Sequence, residues 1–161
     1  MLRLFPKYID EGALMSKELV GKITALFISL KGSSSKVEKK SIQLDRLGIL
    51  SDKYYNTNVQ RSVLITSLSS YSLATEHDIE MPFGSLGENL LIDFNPYHLK
   101  SGSKLHIGST QLEISQNCTI CDHLSVIDEK LPTLLEHDRG IFAKVTKEGE
   151  IKEGDEIYLI D

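Results

Sequence analysis

The stretch "GKITALFISL" (21–30) alternates apolar and polar positions and is rich in β-branched and aromatic residues, which predicts a strand. The polar, serine-bearing "KGSSSKVEKK" (31–40) predicts a loop. "SIQLDRLGI" (41–49) puts Ile42, Leu44 and Leu47 on an inner face and predicts a strand turning near Gly48. "SVLITSL" (62–68) predicts another strand, and "SSYSLATEHDI" (69–79), after a serine cap, a short helix. "MPFGSLGENLLID" (81–93) reads as a loop feeding a strand. In "SKLHIGSTQLEIS" (103–115), Leu105 and Ile107 precede a Gly108-Ser109 turn and Leu112 and Ile114 follow it, the mark of a hairpin. A short helix is expected to start at Pro132, and residues 140–160 read as two or three strands turning at "KEGE" and "KEGD". Many short strands at close spacing, with few helices between them, predict a mostly-β barrel rather than a βαβ architecture.

Composition narrows the class. A chain of 161 residues is expected to form one domain. The sequence holds no run of the ~18 apolar residues that a membrane helix needs. Its net charge of −5 gives no footprint for general nucleic-acid binding. Neither a membrane nor a nucleic-acid partner is expected, while an anionic small ligand is compatible with this charge, because a local pocket can differ in sign from the whole surface. The opening "MLRLFPKYIDEGALM" lacks the apolar core and cleavage site of a signal peptide, so a cytoplasmic protein is expected. Residues 1–14 read either as an extension preceding a natural start at Met15, with one domain over 15–161, or as an ordinary N-terminal strand or helix.

The chemically richest stretch is "ISQNCTICDHLS" (114–125), with both cysteines, Cys118 and Cys121, and His123 close behind. A reducing compartment disfavours a structural disulfide. Zinc would need four ligands, and the cysteines with His123 supply three, so that a fourth would have to come from elsewhere, such as His98, His106 or His137. A redox pair would want a helix N-terminus in a βαβ unit, and haem attachment would want His in place of Asp122. A single reactive thiolate and a pair of buried apolar cysteines both remain open. Three further stretches accompany it. "FGSLGENLLI" (83–92) is a glycine loop able to offer backbone N–H groups to an anion, or a plain tight turn. "GILSDKYYNTNVQR" (48–61) is a long polar loop with Asp52, Lys53 and Arg61. "EHDRGIFAKV" (136–145) gathers His137, Arg139 and Lys144, a patch suited to phosphate or simply a solvated helix end.

In this order the stretches resemble the MOSC family, named for the C-terminal domain of molybdenum cofactor sulfurase. "GKITALFISLKG" looks like the family's opening strand. "GILSDKYY" is similar to its Gly-x-x-Gly-Asp stretch, with Asp52 in the Asp place and Ser51 where Gly is usual. "SLGENLLI" matches the Gly-Glu-Asn motif at Gly87, Glu88 and Asn89. "SGSKLHIGSTQLEISQ" and "EGEIKEGDEIYLI" look like the family hairpin and terminal strand pair. The family's hallmark cysteine falls on Cys121, with Ile120 where Pro is usual and Cys118 where Arg is usual.

The resemblance implies a MOSC-type β-barrel with a few short peripheral helices, as a short free-standing member. It implies Cys121 as catalytic thiolate, either ligating the molybdenum of molybdenum cofactor (molybdopterin) or carrying sulfur as a persulfide. Lys53, Arg61, Arg139 and Lys144 would contact the cofactor's phosphate, and Gly87, Glu88 and Asn89 would shape the pocket. Family-level associations add reduction of N-hydroxylated compounds, pyridoxal phosphate binding, and a cysteine desulfurase or redox partner. The alternative is a non-enzymatic module binding a metal or a partner through the Cys118/Cys121 pair.

Overall fold

The computed structural model describes residues 8–10, 13–33, 35–119 and 124–160. Seven strands close into a barrel: β3 (Lys17–Ser29), β7 (Val63–Ser67), β8 (Leu90–Ile92), β9 (Lys104–Ile107), β10 (Thr110–Asn117), β11 (Ile141–Lys147) and β13 (Glu156–Ile160). Their order is β13-β9-β10-β11-β7-β8-β3, and β13 also pairs with β3, which closes the ring. Closure gives each of these strands a partner on both sides. The terminal "EGDEIYLI", expected as a strand, is therefore the strand that closes the barrel. The hairpin also stands as expected: Ile107 faces Thr110 across the two-residue Gly108-Ser109 turn, and Leu112 faces Leu105.

All the barrel pairings are antiparallel except β7–β8, which is parallel. A parallel pair needs a crossover. It is supplied by α1 (Leu68–Glu76), whose N-cap Ser67 accepts from the Ser69 amide, and by the loop that follows. One β-α-β step thus sits inside the mostly-β barrel that the pattern predicts.

The barrel interior is aliphatic, with Ile23, Leu26, Ile28, Val63, Ile65, Leu90, Ile92, Leu105, Ile107, Leu112, Ile114, Ile141 and Ile157 all buried. A register shift in β3 between Ile23 and Ala25 resets its alternation, so Leu26 and Ile28 point inward while Ala25 and Phe27 join the outer layer. A small sheet of β12 (Gly149–Lys152), β5 (Ser41–Asp45) and β6 (Gly48–Ile49) adds Ile42, Leu44, Ile49 and Ile151 to the same core. On the outer wall Ala25, Phe27 and Leu91 are covered by Tyr71 and Ala74 of α1, by Leu86, by Leu124 of α2 (Leu124–Ile127), and by Leu131 of α3 (Leu131–Leu134). The helix expected at Pro132 begins one residue earlier, with the proline in its first turn.

Two expectations need correction. The polar "KGSSSKVEKK" is not wholly loop, because Lys36–Lys39 forms β4 on the free length of β3. Backbone pairing with β3 decides this, since Val37, Glu38 and Lys39 are exposed and Val37 alone among them is apolar. Leu47 is 39% exposed instead of inward, because Arg46 and Leu47 form the tight turn between β5 and β6. The segment before the barrel holds β1 (Tyr8–Asp10) and β2 (Ala13–Met15), an antiparallel two-stranded ribbon.

Candidate functional site

The glycine loop is built around one phenol. Tyr71 of α1 donates its hydroxyl to Glu88 Oε2 at 2.7 Å and accepts from the amides of Gly84 (3.0 Å) and Leu86 (3.2 Å). The Gly84 amide also reaches Glu88 Oε2 at 2.9 Å. Gly84 and Gly87 lie at φ 94° and 86°, the left-handed region open to glycine. Glu88 is fully buried, and its Oε1 has no hydrogen-bond partner among the described residues. Burial pushes the Glu88 carboxyl above its ordinary value; the hydrogen bonds from Tyr71 and two backbone amides, and the charge of Lys36, pull it partly back. Lys36 responds in kind: burial lowers its ammonium, and Asp52 and Glu88 raise it again.

Asn89 stands in for backbone where the barrel wall changes partners. Its Oδ1 accepts from the Leu64 amide at 3.0 Å and its Nδ2 donates to the Phe27 carbonyl at 3.2 Å. Its own backbone bonds the same two residues. Asn89 therefore splints β7 to β3 just before β8 enters between them.

Asp52 is buried and accepts from the amides of Ser29 (2.7 Å) and Tyr54 (3.0 Å), tying the long polar loop to the end of β3. Ser51 before it has φ 74°. This accounts physically for glycine being the usual residue at that place in the pattern. Lys53 donates to the Ser33 carbonyl at 3.0 Å.

A second cluster gathers on the outer face of β7 and β11, one strand round the barrel. Leu64, Phe142 and Cys118 are buried against one another there. The Cys118 amide bonds the Gly140 carbonyl at 3.0 Å, which fixes the chain as it leaves β10 and runs on toward Cys121. Arg61 ends a 3-10 turn (Val59–Arg61) and lays its guanidinium 4.6 Å from the Phe142 ring centroid. Arg139 is buried and commits Nε (3.3 Å) and Nη2 (3.1 Å) to the Leu86 carbonyl. A Cβ on Gly87 would meet its Nη2 at 3.4 Å. Lys144, two residues along the same face from Phe142, lies 3.8 Å from Glu113.

Of the residues singled out in the sequence, Arg61, Gly87, Arg139 and Lys144 thus share the corner beside Cys118. Lys53 and Glu88 lie across the glycine loop near Lys36, and Asn89 forms the wall between. Cys121 and His123 lie outside the described residues. Tyr71, which lies in the helix the sequence predicts, Lys36 and Phe142 are not singled out by any sequence motif. The only signal for Phe142 was its outward position in an alternating strand, between Ile141 and Ala143.

Among the described residues no group of three His, Cys, Asp or Glu side chains could hold a metal ion. An anionic pterin held through a thiolate calls instead for cationic donors beside a soft ligand. Arg61 Nε is buried with no hydrogen-bond partner among the described residues, and so leaves a donor unspent at this corner. The residues present fit such a group.

These features define a small closed β-barrel whose polar chemistry is carried by loops on its outer wall. The MOSC domain family model matches residues 52–158, and the chain belongs to that family. No curated protein matches it by sequence. Among solved structures it is similar to the YuaD protein of Bacillus subtilis, with 17% identity and TM-score 0.75, covering 92% of this chain and 99% of that one. YiiM from Escherichia coli follows at 16% identity and TM-score 0.67, covering 87% of this chain and 70% of that one. YiiM from Geobacillus stearothermophilus has 13% identity and TM-score 0.62, covering 91% of this chain and 76% of that one. At these identities the likeness speaks for the fold. No described helix is long and apolar enough to cross a membrane.

Proposed function

We propose that this MOSC protein binds molybdenum cofactor or carries sulfur through Cys121, in the cytoplasm, and that it supports reduction of N-hydroxylated compounds when the cofactor is bound. The observation that carries the reading is the corner beside Cys118, three positions before the hallmark cysteine in sequence: an arginine with an unspent donor and its guanidinium over the Phe142 ring. Molybdenum cofactor would supply the redox chemistry. The protein's own residues would bind and orient it. The Cys121 thiolate is the soft ligand or sulfur carrier. Arg61 and Lys144 face the anionic group, and Arg139 ties the glycine loop to this corner through Leu86. A cysteine desulfurase or a reductase would serve as partner.

The alternative, a metal- or partner-binding module using both cysteines, needs Cys118 turned toward a ligand. Cys118 is instead 4% exposed and packed on Leu64 and Phe142. The test is to incubate the purified protein with molybdenum cofactor, or with a sulfur donor, and to measure retained molybdenum, pterin and cyanolysable sulfur. Wild type should retain one of them and Cys121→Ser should not. Retention of none by wild type overturns the proposal.

A further inference from the structure

Glu88 is fully buried, and only one of its carboxyl oxygens is engaged. Oε2 accepts from the Tyr71 hydroxyl and the Gly84 amide, while Oε1 has no hydrogen-bond partner among the described residues. A buried carboxylate in that state is costly unless a counter-charge reaches it.

One lysine is placed to do so. Lys36 stands on β4 opposite Ser29, on the outer face that it shares with Phe27. Both side chains lie against Gly84: a Cβ there would meet the Phe27 ring at 3.1 Å and the Lys36 Cβ at 3.6 Å. The Gly84 amide is also the one that holds Glu88 Oε2, so the lysine leaves β4 beside the carboxyl. Lys36 is half-buried, and its ammonium makes no hydrogen bond or ion pair among the described residues.

The other titratable groups around it are already engaged. Asp52 acts on the Lys36 charge, but its Oδ1 accepts from the Ser29 amide at 2.7 Å and its Oδ2 from the Tyr54 amide at 3.0 Å. Lys53, the second ammonium that Lys36 feels, donates to the Ser33 carbonyl. Tyr97 feels the Glu88 charge, and its hydroxyl is bonded to the Ser67 amide and the Ser70 hydroxyl. The open acceptor is Glu88 Oε1. Burial holds the Glu88 carboxyl up and the Lys36 ammonium down, and the charge of each partner works against that shift.

We infer that Lys36 is a positioning residue of the glycine loop and acts as a latch: when Glu88 gives up its proton to solvent, the Lys36 ammonium closes on Oε1 and ties β4 to the loop. Below that pH the carboxyl links the loop to α1 through Tyr71; above it, the same carboxyl also links the loop to β4. Leu86, whose amide rests on Tyr71 and whose carbonyl holds Arg139, carries the effect to the corner beside Cys118. That consequence rests on the function proposed above, and the latch itself does not.

The test is a pH titration by NMR of wild type, Lys36→Met and Lys36→Arg. It follows the Glu88 side-chain carboxyl carbon, the Lys36 side chain, and the protection of the β4 amides from hydrogen exchange. In wild type all three should inflect at one pH, and β4 protection should rise by about tenfold across it, the size of one charge-assisted hydrogen bond. Lys36→Met should move the Glu88 inflection to higher pH and abolish the step in β4 protection, and Lys36→Arg should keep the step. A Glu88 inflection that stays in place in Lys36→Met, or β4 protection that crosses it unchanged in wild type, would overturn the inference. A shared inflection in a protein that retains neither molybdenum cofactor nor sulfur would uphold the latch and reject the proposed function. Retention of either without a shared inflection would reject the latch alone.

Discussion

Replacing Tyr71 by Phe removes one oxygen from the centre of the glycine loop and almost nothing else. The ring is buried, and its edge-to-face contact with Phe83, at 5.1 Å between centroids, is kept. The hydroxyl holds three groups: Glu88 Oε2 and the amides of Gly84 and Leu86. Gly84 keeps its second bond to Glu88 Oε2 at 2.9 Å. Leu86, itself fully buried, loses the acceptor of its amide. An orphaned buried amide costs about 1–3 kcal/mol, and the lost hydrogen bond to the carboxyl about 1 kcal/mol or more. Desolvating the phenol no longer opposes folding, which returns part of this. The expected net loss is about 2–3 kcal/mol, read as a lower urea midpoint at unchanged slope. A loss below about 0.5 kcal/mol, the size of an ordinary surface substitution, would refute the view that this hydroxyl organises the loop.

Two further substitutions probe the same wall. Glu88→Gln tests burial of the carboxyl. Because folding raises the Glu88 carboxyl above its ordinary 4.5, its contribution is fully present below that value and is lost as pH rises through the folded value. The stability of Glu88→Gln relative to wild type should therefore grow as pH rises above 4.5 toward the folded value, and parallel pH–stability curves would contradict it. Asn89→Ala leaves the Leu64 amide and the Phe27 carbonyl each short of a partner. It should lower stability by about 2–4 kcal/mol and speed hydrogen exchange at Leu64, whereas unchanged exchange would reject the splint.

The barrel was largely legible because its strands alternate. Val63 and Ile65 face in and Leu64 faces out, and the Gly108-Ser109 turn sets the hairpin register. The parts that escaped depend on partners far along the chain. β4 exists because β3 outruns its other neighbours, not because of anything in "KVEK". Asn89 reads as a pocket residue, yet its amide replaces backbone bonds to strands 25 and 62 residues away. The site was legible as residue types and not as a grouping. Nothing in the order Arg61, Arg139, Phe142 says that Arg61 lies over Phe142 while Arg139 turns to Leu86.

The most direct measurement is peptide-level mass spectrometry of the protein after exposure to a sulfur donor and to molybdenum cofactor, comparing wild type, Cys121→Ser and Cys118→Ser. Wild type should carry one added sulfur atom on Cys121 or retain molybdenum. Cys118→Ser should behave alike, since Cys118 packs on Leu64 and Phe142, and Cys121→Ser should do neither. Sulfur found on Cys118 alone, or molybdenum retained equally by Cys121→Ser, would contradict the account.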